Sequence, residues 1–97
     1  MAVGIIEEFE GSDLDFYDAV CREIDFPADW PNGLIYHAVG AVSGGIRIVE
    51  QWQEAEHHER FVEAKIRPAI AALLGEEAER AAPQVTVFPI HSVQTAT

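Results

Sequence analysis

Very little of this sequence is basic. Six lysines and arginines stand against seventeen aspartates and glutamates, a net charge of −11 with the four histidines counted neutral. A field of that sign repels nucleic acid, and no basic stripe or RNA-binding motif overrides it, so no nucleic-acid partner is expected. Cysteine is rarer still. Cys21 stands alone, which excludes an intrachain disulfide, and its helical spacing points to a small core residue rather than a reactive thiol. No apolar run approaches the roughly 18–20 residues of a membrane span. No apolar signal region behind a lysine or arginine opens the chain, so the expectation is a cytoplasmic protein without a membrane partner. A phosphate loop, a nucleotide fingerprint, a serine triad and a CxxC pair are all missing too, as are internal repeats and low-complexity segments.

What the chain has is apolar residues, 48% of 97. That argues against disorder and for one domain over 1–97 with a single modest core. Residues 2–9 read as a first strand, ended by Gly11-Ser12-Asp13, where Ser12 or Asp13 can cap a helix. Leu14, Tyr17, Val20, Cys21 and Ile24 then recur at helical spacing and form one apolar face. Residues 26–33 carry two prolines and cannot be regular, yet Phe26 and Trp30 are too apolar for a solvated loop. They plug the end of the core or cover a pocket mouth. A long second helix spans 54–74, with Phe61, Val62, Ile66, Ala69, Ile70, Leu73 and Leu74 as its buried stripe. Glu56 with Arg60 and Glu63 with Arg67 lie on its wet side at i,i+4. Pro68 should kink or divide this helix, and Gly75 suits its C-terminal cap. Residues 76–84 form a loop with a fragment of helix. The last strand, 85–93, contains Pro89 and so belongs at a sheet edge or carries a bulge.

The central stretch, 33–53, is a hairpin. Ser43-Gly44-Gly45 supplies the positive φ that a tight turn needs. If Ser43 and Gly44 are the turn residues, Val42 faces Gly45, His37 faces Glu50, and Ile35 faces Trp52. Side chains alternate with period two, so Ile35, His37, Val39, Ile48, Glu50 and Trp52 share one face, while Tyr36, Arg47 and Val49 share the other. Both faces are largely apolar, and both should be covered.

The order β-α-β-β-α-β matches the ferredoxin-like split βαβ arrangement, an α+β fold with a four-stranded antiparallel sheet and two helices on one face. The other face then calls for a partner, and a homodimer through the sheet is expected. Gly33-Leu34-Ile35-Tyr36-His37, Gly44-Gly45-Ile46-Arg47-Ile48-Val49, Trp52-Gln53-Glu54, Ile66-Arg67-Pro68-Ala69 and Val87-Phe88-Pro89-Ile90-His91 carry a resemblance. They make the chain similar to the dimeric α+β-barrel superfamily, nearest its antibiotic-biosynthesis-monooxygenase-like members. The resemblance implies a cavity between sheet and helices, lined by Trp52. It also implies a cofactor-independent monooxygenase acting on an aromatic or polyketide-type substrate, with oxygen chemistry run on the substrate's own electrons.

His37 and Glu50 form the expected catalytic pair. The carboxylate favours a charged imidazole and burial opposes it, so the histidine can serve as a general base oriented by Glu50. A plain cross-strand hydrogen bond is the structural alternative. Trp52, Phe26 and Trp30 are expected as apolar walls of the substrate site, and His91 as a supporting group. His57, His58 and the neighbouring glutamates read as a solvated helix face, since adjacent histidines point about 100° apart on a helix. No metal or other cofactor is expected. Two other functions stay open: a non-catalytic dimeric module that binds a hydrophobic ligand or structures a partner, and a cyclase or isomerase using the same histidine base.

Overall fold

The structure is a computed structural model and describes residues 1–96, the side chain of Arg80 apart. β1 (Val3–Glu10) is followed by α1 (Leu14–Ile24), β2 (Leu34–Val42) and β3 (Gly45–Trp52). The second helical arm comprises α2 (Ala55–Phe61), a π-helical segment (Val62–Ile66) and α3 (Arg67–Leu74). A 3₁₀ segment (Gly75–Ala81) then leads into β4 (Gln84–Pro89). The sheet runs in the order β2-β3-β1-β4 with every neighbouring pair antiparallel. This is the ferredoxin-like α+β fold expected from the order of elements.

The hairpin is built from its turn outward. Val42 pairs with Gly45 and His37 with Glu50, as a two-residue turn at Ser43-Gly44 requires. Two of its glycines are there for different reasons. Gly44 has φ +82°, whereas Gly45 lies against β1, where a Cβ would come within 2.2 Å of the Phe9 carbonyl oxygen. Further along, the expected register breaks. A bulge between Leu34 and Tyr36 sets Leu34, not Ile35, opposite Trp52. One extra residue reverses the facing of everything beyond it. Leu34 therefore enters the core at 6% exposure, and Ile35 is left outside at 46%.

α1 starts on Asp13, whose carboxylate accepts from the Phe16 backbone N–H at 2.8 Å. It buries no residue fully. Leu14, placed on its apolar face by spacing, is 42% exposed, and Phe16 faces the sheet in its place. In the second arm, Pro68 has no N–H for the carbonyl four residues back. The chain answers with the π-helical segment, in which the Arg67 N–H reaches the Val62 carbonyl five residues back. The helix is thus widened rather than broken. The expected ion pairs form at 3.3 Å for Glu56–Arg60 and 2.9 Å for Glu63–Arg67.

β4 is an edge strand, one of the two outcomes Pro89 allows, but it ends at Pro89 instead of running to 93. The core centres on Val3, Ile5, Leu34 and Trp52, with Phe26, Ala55 and Phe61 packed against it. Among the described residues, no helix is long and apolar enough to cross a membrane.

Candidate active site

Between the sheet and the helices lies a cavity of about 70 Å³. On this scale one water needs roughly 10–15 Å³, and a drug-sized ligand roughly 300–1,000 Å³. Its walls are apolar, from Phe9, Ile46 and Ile48 on the sheet, Phe16, Val20 and Ile24 on α1, and Phe61, Val62, Ile66 and Ile70 on the second arm. Polar groups enter from both the sheet and the helices. Glu7 on β1, His37 on β2, Glu50 on β3, Tyr17 on α1 and His58 on α2 all face this space.

Three of them form a chain. The Tyr17 hydroxyl lies 2.5 Å from His37 Nε2, and His37 Nδ1 lies 2.6 Å from Glu50 Oε2. The other carboxylate oxygen, Glu50 Oε1, accepts from the fully buried Trp52 Nε1 at 3.1 Å. Burial pushes the Tyr17 phenol well up, and the nearby Cys21 thiol and Glu50 carboxylate add to the shift. Tyr17 is therefore protonated at neutral pH. A carboxylate can only accept, so His37 Nδ1 donates to Glu50 and Nε2 is the ring nitrogen turned to the Tyr17 hydroxyl. The arrangement is that of a base oriented from behind, with a hydroxyl between it and the cavity. Burial also raises the Cys21 pKa, so that thiol stays protonated.

No protein-family model matches the sequence, and no curated protein does so. Solved structures do. SnoaB, a cofactor-independent oxygenase from Streptomyces nogalater, superposes with a TM-score of 0.63 at 16% identity, over 95% of each chain. A candidate antibiotic biosynthesis monooxygenase from Chloroflexus aurantiacus gives 0.61 at 19% identity, over 97% of this chain and 98% of that one. NE2512, a protein of unknown function from Nitrosomonas europaea, gives 0.65 at 11% identity, over 99% and 95%. The chain shares the ferredoxin-like α+β fold of these proteins. At such identities the likeness settles the fold and leaves the chemistry to the residues.

Within this fold the expected site residues separate. His37 and Glu50 meet as their register required. Phe26 joins them, its ring edge-on to His37 with centroids 4.8 Å apart. Trp30 does not reach the cavity. It stacks on the outer side of Phe26 at 5.6 Å, donates Nε1 to the Leu34 carbonyl, and faces a separate outer cleft. Trp52 lies beneath the site, holding Glu50 and packing on His58 and Phe61. His91 follows the end of β4, is exposed, and lines no part of the cavity, because β4 stops at Pro89.

Two site residues were not foreseen. Spacing places Tyr17 on an apolar stripe, and a buried tyrosine ordinarily seeks a partner for its hydroxyl. His58 was expected in solvent and is buried. α2 begins at Ala55, so Ala55, His58 and Phe61 turn together onto the sheet while Glu56, Glu59 and Arg60 take the water side. His58 Nε2 stands 3.7 Å from Glu7 Oε2 and 3.9 Å from Glu50 Oε1. Burial opposes charge on this imidazole, but the Glu7 carboxylate, helped by Glu50, outweighs it and raises the His58 pKa. His57 turns away and packs on Gly33, where a Cβ would fall 2.3 Å from its ring.

Proposed function

We propose that this protein is a small cofactor-independent oxygenase acting on an aromatic or polyketide-type substrate with an acidic C–H or O–H. The observation that carries this is the hydrogen-bonded chain Tyr17–His37–Glu50 at the edge of an apolar cavity. The substrate proton passes to His37 Nε2, with the Tyr17 hydroxyl either relaying it or swinging aside, and Glu50 stabilises the imidazolium that forms. The carbanion or enolate left behind gives its electrons to O₂. For an anthrone-like methylene, one oxygen atom enters the product as a carbonyl and the other leaves as water, so the substrate itself is the reductant. Phe26, braced by Trp30, forms the apolar wall.

A cavity of 70 Å³ is too small for a fused-ring substrate in this form. α1 buries no residue fully, and its outward tilt would admit one. The same small volume favours a second reading, isomerisation or cyclisation of a smaller enolisable compound by the same base without oxygen.

We further propose a homodimer through the sheet face away from the helices. That face leaves Tyr36, Val49 and Phe88 exposed at 54%, 40% and 43%, an apolar patch that the sheet of a second copy would cover.

The decisive experiment is oxygen uptake by chelator-treated protein with a panel of anthrones and hydroquinones, comparing wild type with His37→Ala and Tyr17→Phe. Uptake lost in His37→Ala supports the oxygenase. Proton exchange at the substrate carbon without uptake supports the isomerase reading. Quenching of tryptophan fluorescence with neither leaves a ligand-binding module and rejects catalysis.

A further inference from the structure

We propose that Glu7, Glu50 and His58 form a site for one first-row divalent cation, of the zinc, manganese or ferrous class, at the floor of the cavity. The three residues come from β1, β3 and α2, and one ligand atom from each lies within 4.8 Å of the others. All three are buried, at 8%, 4% and 8% exposure. His58 Nε2 points into the group without a hydrogen-bond partner. A buried imidazole nitrogen left unpartnered is a recurrent sign of a missing ligand.

The spacing suits a bridging ion. Metal–nitrogen and metal–carboxylate bonds of about 2.0–2.2 Å set tetrahedral ligand atoms roughly 3.3–3.6 Å apart. His58 Nε2 stands 3.7 Å from Glu7 Oε2 and 3.9 Å from Glu50 Oε1, too far for direct hydrogen bonds and a few tenths of an ångström wider than coordination needs. The two carboxylates lie within 4.8 Å of each other, and rotation of their side chains would bring all three atoms to coordination distance.

Charge points the same way. Two carboxylates buried in an apolar space need compensation. A divalent ion with a neutral imidazole answers both, whereas a proton on His58 answers one. One nitrogen and two oxygens, with no thiolate in the set, select the zinc, manganese and ferrous class over soft cations. Glu50 is also held from outside, Oε2 by His37 and Oε1 by Trp52, the kind of outer support that orients metal-binding carboxylates. Three protein ligands leave at least one position open, and it faces the cavity, where water or a substrate oxygen can bind.

This inference does not rest on the oxygenase reading, and the two fail separately. Oxygen uptake by chelated protein tests only that reading. Here the measurement is Co²⁺ titration of chelator-treated protein by visible absorption, followed by displacement with Zn²⁺. One ion per chain is expected, with the intense band of four- or five-coordinate cobalt. His58→Gln and Glu7→Gln should each weaken binding roughly tenfold or more, while Glu59→Gln, exposed on the same helix, changes nothing. Circular dichroism confirms that each variant is folded. The wild-type spectrum stands as a test in its own right should a variant unfold. A spectrum no different from that of aqueous Co²⁺, or binding indifferent to both substitutions, overturns the site.

Discussion

Replacing Glu50 by glutamine separates what its carboxylate does for the fold from what it does for His37. In the wild type that carboxylate accepts from two donors, His37 Nδ1 at 2.6 Å and Trp52 Nε1 at 3.1 Å. Glutamine has one carbonyl oxygen and one amide NH₂. Trp52 is fully buried and its indole can only donate, so the carbonyl must stay with Trp52. The NH₂ then faces His37 Nδ1, which can receive it only as an acceptor. The ring proton moves to Nε2, and the atom that should take the substrate's proton is occupied.

The expected result is a stability change within about 1 kcal/mol, since both contacts are kept in some form, with turnover down by on the order of 10²–10⁴. Glu50→Leu should behave in the opposite way for stability. It leaves both N–H groups without acceptors at about 1–3 kcal/mol each, a melting point lower by at least roughly 10 °C for a chain of this size. Nitrogen-15 NMR of the His37 ring reads the tautomer directly, without a known substrate, and thermal melts read the rest. A Glu50→Gln protein that keeps its proton on Nδ1, or that loses as much stability as Glu50→Leu, refutes the reasoning.

Other consequences are open to measurement. Tyr17 has a folded-state pKa raised by burial, so its contribution is complete below its unfolded value of about 10 and is lost as pH rises towards the folded one. Urea melts between pH 9 and 11 should therefore fall more steeply for wild type than for Tyr17→Phe, and equal slopes would argue against a buried phenol. Gly33→Ala combines φ +88° with a Cβ 2.3 Å from the His57 ring, whereas Gly11→Ala has φ +79° in open space. The first should cost about 2–4 kcal/mol and the second about 1, as read from denaturant midpoints. Light scattering at micromolar concentration should give wild type twice the 10.7 kDa chain mass and Val49→Asp a single chain. A monomeric wild type would remove the dimer.

Much of the candidate site was legible because it depends on local rules. His37 and Glu50 face each other because a two-residue turn sets a register, and the register holds for the five residue pairs between turn and site. Two pairs further on it fails at the bulge, since nothing in Leu34-Ile35-Tyr36 marks which residue will be extra. Tyr17 and His58 were hidden for a related reason. Periodicity names the residues that share a helix face, but it does not say which face meets the sheet or what waits there. His58 becomes a site residue only because β1 and β3 bring Glu7 and Glu50 up to it.

Local rules read from the chain alone set the order of elements, the turn, a helix cap at Ser12 or Asp13, the disturbance at Pro68 and a last strand that is either an edge or bulged. Each follows from steric or hydrogen-bonding preferences of a few neighbouring residues. Tertiary structure alone decided that Leu34 enters the core in place of Ile35 and that Phe16 faces the cavity in place of Leu14. It also decided that Trp30 braces from outside, that His91 falls beyond the last strand, and that three buried acid and imidazole groups converge. Those outcomes depend on how rigid elements distant in the chain fill a shared volume, and packing of that kind has no local signature.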